Sequence, residues 1–266
     1  MMVHRYFFLV IIVFQLICIT RVHATENDRS CNFNGEKLTY KMEYLGFHVA
    51  NLDFSVLENK IDTTTVCQLS VTARSTGKSG KLFYVDNVYQ IFFRSANFLP
   101  IVIEKHINQK NIQQDLKIRF DHHKSKAIVN DSTSYKIPYP CFDYFSMLYF
   151  IRSNPLNKGD TLNFYLDSEY LISRVEVVVE SKEKEIKLAC GQFRALQLKL
   201  KFDSITKGKR PWKTDLLTNR LAAPGSALTI WISLDKNRLP LMISYRHSLI
   251  NTKIILNDFK IEEHED

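Results

Sequence analysis

Asp121-His122-His123 is the stretch of this chain that most resembles a metal site, because imidazole and carboxylate groups together ligate zinc. Neighbouring residues on a strand point to opposite faces, so the two rings rarely reach one ion, and a mononuclear site needs three or four converging donors. The stretch reads better as a polar turn. His48, His106 and His247 fall on three different expected strands, and nothing in their spacing brings them together. Cys141 begins an apolar segment, where a helix dipole could lower a thiol pKa, but a structural thiol or a disulfide partner is the simpler reading. Ser146 follows on the same segment with no histidine near in sequence, and there is no Gly-x-Ser-x-Gly elbow. Thr76-Gly77-Lys78-Ser79-Gly80 lacks the full spacing and the parallel strand–helix context of a phosphate-binding loop. No catalytic residue, metal or cofactor is expected, and the protein is read as non-enzymatic.

The remaining residue types of interest are those that hold ligands. Phe145 and Tyr149 lie on the apolar segment, where they either fill the core or line a cavity. Trp231 has the parity opposite Ile230 and Ile232, so it faces a second apolar layer or a cavity, with core packing the plainer reading. Residues 205–225 form a long interruption, and long loops are often functional. Within it Lys207, Lys209, Arg210 and Lys213 surround Trp212, a combination that can hold an anionic headgroup beside an aromatic at a polar–apolar boundary.

These residues must be positioned by strands and one helix. Residues 139–153 are apolar nearly all round, and such a helix is buried on several sides. Pro140 suits its start, Asp143 its positive end and Arg152 its negative end, while Asn154-Pro155 stops it. Elsewhere the pattern has period two: Leu38, Tyr40 and Met42 share one face, as do Leu52, Phe54 and Val56, and later Leu196, Leu198, Leu200 and Phe202. About a dozen strands in one layer curl or close. The expected fold is mainly β: a large antiparallel, strongly curved sheet or incomplete barrel packed on one central apolar helix.

Residues 1–24 read as a signal peptide, with His4 and Arg5 before the apolar run Phe7–Thr20 and Val22-His23-Ala24 at the cleavage site. Removing it with Arg5 and Arg21 takes the formal charge from +8 to +6. That balance suits solubility first and anionic membranes or lipopolysaccharide second, and export argues against nucleic acid. Residues 25–34 are polar and expected to be loosely ordered. Residues 35–261 form a single β-rich domain, of a size common for one sandwich or barrel. Cys31, Cys67, Cys141 and Cys190 remain after cleavage and allow three pairings; Cys67, on the apolar parity of its strand, equally fits a buried thiol.

The ordered set Gly35-Glu36-Lys37-Leu38-Thr39-Tyr40, Asp143 to Arg152, Lys158-Gly159-Asp160, Cys190-Gly191-Gln192-Phe193-Arg194-Ala195, Trp231 to Asp235 and Arg238-Leu239-Pro240 resembles the bacterial exported family catalogued as domain-of-unknown-function 3108. Cys190 departs from the proline or alanine expected before its glycine. The resemblance spans roughly residues 35–260. It implies a periplasmic or otherwise exported protein of a Gram-negative-type envelope with a mostly antiparallel β fold, and it implies no activity. In architecture, a curved sheet wrapped on a helix is also similar to the lipoprotein carriers of the Lol pathway, but fold does not fix function. The expected role is binding of a lipid or other amphipathic ligand, with anionic lipid, lipopolysaccharide or an envelope protein as partner. The alternative is a periplasmic interaction or scaffold module with a solid core.

Overall fold

The computed structural model describes residues 30–77, 84–208, 210–213, 215, 217–218, 221–222, 226–247 and 250–262, with the backbone alone at His247 and Ile250. The signal peptide 1–24, residues 25–29 of the polar segment, Lys78-Ser79-Gly80 and Lys209 lie outside the described residues.

Period-two alternation produces strands throughout. The first half holds β1 (Lys37–Tyr44), β2 (Phe47–Ile61), β3 (Thr64–Ser75), β4 (Asp86–Arg94), β5 (Pro100–Gln109), β6 (Ile112–Asp121), β7 (Lys126–Val129) and β8 (Thr133–Lys136). The second half holds β9 (Cys141–Phe142), the helix α1 (Tyr144–Ser153), β10 (Thr161–Ser168), β11 (Leu171–Leu188), β12 (Gly191–Ser204), β13 (Ala227–Ser233), β14 (Pro240–His247) and β15 (Ile250–Lys260). All fifteen strands form one sheet in the order β8-β7-β6-β5-β4-β3-β2-β1-β15-β14-β13-β12-β11-β10-β9. Two meanders are thus joined where the first strand pairs with the last. Every pairing is antiparallel except β9 with β10. The sheet is larger than the expected dozen strands. Strand β9 is too short to show alternation, and the charged stretch after Val179 continues β11 past a register shift between Val179 and Glu183.

The helix is shorter than the expected 139–153. Cys141 and Phe142 pair with Tyr165 and Leu166 instead of entering it. Asp143 then caps it: its carboxylate accepts from the amides of Phe145 and Ser146, and the Ser146 hydroxyl accepts from the Asp143 amide. This reciprocal capping box satisfies amides that a longer helix would have bonded internally. The parallel β9–α1–β10 crossover lays α1 on the concave face of the sheet. Phe145 packs against Phe54 of β2 and Tyr89 of β4, Tyr149 against Phe93 of β4, and Phe150 against Phe164 of β10.

The register defines two ends. The upper end carries the β1–β2 turn, the β5–β6 turn, the β10–β11 turn and the loop after β12. The lower end carries the segment before β1, the β2–β3 turn and the β13–β14 turn. Although residues 25–34 read as loosely ordered, Cys31 to Asn34 are pinned at the lower end. Cys31 is buried and disulfide-bonded to Cys67 of β3, and the Asn34 carboxamide accepts from the Glu58 amide. Cys67 is therefore not a free buried thiol, whereas Cys141 and Cys190 are unpaired.

The edge strands β8 and β9 are not joined by a ladder, and side chains of β8 and β5 reach across to β10 and the β10–β11 turn. The Tyr135 hydroxyl donates to Asp167, the Tyr135 and Tyr170 rings meet edge to face at 5.2 Å, and Lys105 pairs with Glu169 at 2.6 Å. Burial pushes the Asp167 carboxyl up to about 7. The folded protein then holds a proton that the unfolded chain releases near pH 4, so this contribution to stability is present at low pH and lost as pH rises towards 7. The unfolding free energy is expected to fall by about 2 kcal/mol between pH 5.5 and 7.5. Asp143 is raised by burial too and adds in the same direction. Denaturant titrations at both pH values check this. Asp167→Asn should flatten most of the fall, and a wild-type profile flat over that window would contradict it.

Candidate functional site

The upper half of the concave face does not fill completely. A cavity of about 290 Å³ lies between the first turns of α1 and the sheet, and none of the nineteen described residues that line it carries a charge. Phe145 and Leu148 of α1 form one wall, with Leu52 and Val71 among the strand residues opposite. The inward parity of β13 contributes Leu228 and Ile230. Around the upper rim stand Tyr44 at the end of β1, Tyr245 near the end of β14 and Thr252 at the start of β15.

The loop after β12 covers this space, and its described cations, Lys207, Arg210 and Lys213, are not among the lining residues. Leu217, Thr218 and Leu221 are the described loop residues that line the cavity. They are held by Asp215, which is wholly buried. Its carboxylate accepts from the Tyr89 hydroxyl at 2.8 Å, the Gln109 amide at 3.0 Å, the Thr218 hydroxyl at 2.9 Å and the Leu217 backbone amide at 2.6 Å. The Tyr144 hydroxyl accepts from the Ala222 amide at 3.2 Å, tying the same segment to the start of α1. Burial, with the Asp215 charge beside it, raises the Tyr89 hydroxyl well above the usual tyrosine range, so it stays a donor.

Removing this anchor leaves the buried Tyr89 hydroxyl without its acceptor, and orphaned buried groups cost about 1–3 kcal/mol. Asp215→Ala is expected to speed proteolytic cleavage within 205–226 at least tenfold while the sheet stays folded, because the loop loses several bonds at once. Limited proteolysis checks this. An unchanged cleavage rate would mean that the loop is held by other contacts.

Of the expected site residues that are described, the structure brings only Phe145 into the cavity wall. Tyr149 lies deeper along α1, where its hydroxyl donates to Glu36 at 2.9 Å. Trp231 occupies the opposite face of β13 from Ile230, because successive strand residues alternate, and it is half-buried outside the cavity. Trp212 packs edge-on to Tyr170 at 5.9 Å and likewise does not line the cavity. Arg210 is not a free rim cation: its guanidinium donates to the carbonyls of Ser168 and Glu169 at 2.6–3.0 Å, fixing the loop to the β10–β11 turn. Lys207 and Lys213 are exposed. The missed residues had one signal, the apolar pairs Leu216-Leu217 and Leu221-Ala222 inside an otherwise polar loop.

The candidates for chemistry are spread apart. His122 Nε2 lies 2.9 Å from the Pro100 carbonyl, His48 bonds Asn51 and His106 pairs with Asp115. Among the described residues no three His, Cys, Asp or Glu side chains are placed to hold a metal ion. Burial, then the nearby Asp167 and Asp143, push the Cys141 thiol well above its usual range, the opposite of an activated nucleophile.

The fold is shared with a crystal structure of a beta-barrel-like protein of the domain of unknown function DUF1849 from Brucella abortus. That structure has a TM-score of 0.56 and 7% identity, over 87% of this chain and 99% of that one. A protein from Bacteroides fragilis described as exported is 12% identical over 88% of this chain and 99% of its own, with a TM-score of 0.37. A protein from Parabacteroides distasonis described as a lipoprotein is 12% identical over 87% of this chain and 100% of its own, with a TM-score of 0.35. No curated protein matches this chain in sequence. Among the described residues no helix is long and apolar enough to cross a membrane. The family model described as a protein of unknown function (DUF3108) matches residues 39–252, and the chain belongs to that family.

Proposed function

We propose that this is a non-enzymatic, exported cell-envelope protein that holds one apolar chain, of a lipid or other amphipathic ligand, between α1 and the sheet. The observation that carries this reading is the cavity of about 290 Å³ with no charged residue among the described residues of its lining. Apolar cavities of about 150 Å³ stay dry and take up a six-carbon ring, so this one has room for roughly a dozen carbons. A solvated headgroup would remain at the rim, near the hydroxyls of Tyr44, Tyr245 and Thr252. The same cavity favours ligand binding over a scaffold module with a solid core.

Native mass spectrometry of the purified protein, before and after organic extraction, tests the reading. The expected result is a bound apolar molecule that extraction removes and that Val71→Phe, which narrows the cavity without adding charge, fails to retain. Phe145→Asp, which puts a carboxylate on the wall, should fail in the same way. A ligand-free wild-type spectrum that stays unchanged after exposure to lipid extract would contradict it.

A further inference from the structure

The β1–β2 turn departs from what folding alone would select. Leu45 is 55% exposed and Phe47 is 75% exposed, and they flank Gly46 at the tip of the hairpin. Leu45 also sits in the left-handed backbone region at φ 51°, ahead of Gly46 at φ 84°. Two-residue hairpin turns of this kind take asparagine, aspartate or glycine at the first position, because a leucine there strains its Cβ. A large apolar side chain in a strained position, facing water, adds nothing to the core beneath it. The next residue back, Tyr44, is a rim residue of the cavity.

Two further exposed apolar side chains, Tyr84 before β4 and Ile205 after β12, lie at the same upper end, so four of the seven exposed large apolar side chains among the described residues gather there. Exposed cations accompany them: Lys110 in the β5–β6 turn, Lys207 and Lys213 in the covering loop and Arg246 near the end of β14. Glu43, the acid nearest the tip in sequence, stands opposite Lys253 in the ladder. Apolar tips beside cations are the chemistry that recognises an anionic bilayer surface, the rings entering the headgroup boundary while the charges stay outside.

We infer that the Leu45-Gly46-Phe47 tip docks the upper end of the protein on an anionic lipid bilayer and so places the cavity mouth at the membrane surface. This rests on the cavity reading for its purpose, and the two can fail separately. Cosedimentation with phosphatidylglycerol vesicles, with phosphatidylcholine vesicles as control, tests the docking. The wild type is expected to bind phosphatidylglycerol at low salt and weaken as salt rises, since screening shortens the reach of the cations. Leu45→Asn and Phe47→Ser should each weaken it at least tenfold with melting temperature unchanged or, for Leu45→Asn, raised. Phe47→Trp should add a blue-shifted emission when vesicles are present. Uptake of a soluble fluorescent fatty acid without vesicles should be the same in wild type and both tip variants. No vesicle binding by the wild type, wild-type binding by the tip variants, or no emission shift from Phe47→Trp would overturn the docking. Loss of fatty-acid uptake by the wild type would instead overturn the cavity reading and leave the docking to stand on the vesicle result.

Discussion

Arg152→Met is expected to lower the unfolding free energy by about 3–5 kcal/mol, the usual cost of leaving half of a buried ion pair uncompensated. Arg152 lies in the last turn of α1 and is one of the largest fully buried side chains among the described residues. Its guanidinium meets both oxygens of Glu36 at 2.8 and 2.5 Å and donates to the carbonyls of Arg238 and Asn237 at 3.0 and 3.2 Å. The rings of Phe33 and Tyr149 cover it at 4.5 and 4.9 Å. Glu36 raises the guanidinium pKa further still, against the effect of burial, so the charge is permanent. Three pieces of chain distant in sequence, the segment before β1, the end of α1 and the β13–β14 turn, therefore depend on one side chain. In Arg152→Met the buried Glu36 carboxyl loses its partner. The double variant with Glu36→Gln should recover part of the loss, because no lone charge remains. Denaturant unfolding of the three variants measures this. A loss below about 1 kcal/mol for Arg152→Met, the size expected of an exposed pair, would mean that water reaches this end of the helix.

The second large effect belongs to the Cys31–Cys67 disulfide, whose ends are 36 residues apart. Closing a loop of that length restricts the unfolded chain by about 3–4 kcal/mol on the chain-entropy account. The paired Cys31→Ala and Cys67→Ala substitutions should lose that amount, and reductant should destabilise the wild type but not the double variant. Because Phe33 and Glu36 follow the bridge, the paired variant should also loosen the contacts of Tyr149 and Arg152. Hydrogen exchange at the end of α1 would show faster opening. Equal stability with and without reductant would contradict the assignment.

Most of the sheet was legible because alternation is a local signal. Leu38, Tyr40 and Met42 face inward for the same reason that their parity stands out in the sequence, and burial follows it almost residue by residue along β4. The apolar helix was legible too, since few surfaces other than a wrapped sheet cover so many of its sides. What stayed hidden depends on contacts between distant residues. Asp143 capping the helix was within reach of its local sequence, but the two-residue β9 gives no period to read. Arg152 read as a favourable charge at a helix end, and nothing near it points to Glu36, 116 residues earlier. In the loop after β12 the cations are the most conspicuous residues of the sequence. Its role at the cavity falls instead to Leu217 and Leu221, placed by the buried Asp215 bonding to β4 and β5. Trp231 shows the remaining limit: parity says that it faces away from Ile230, but not which face encloses the space.

The central claim is that the cavity takes an apolar chain, and the most direct test is an affinity series over saturated fatty acids of increasing length, measured by displacement of a fluorescent fatty acid. Burial of each methylene contributes about 0.8 kcal/mol, so affinity should rise about fourfold per carbon while the chain still enters the cavity. It should then level off near roughly a dozen carbons, where the space is filled. Val71→Phe should shift that plateau to shorter chains. Affinity that does not depend on chain length, or a plateau that Val71→Phe leaves in place, would contradict binding in this cavity.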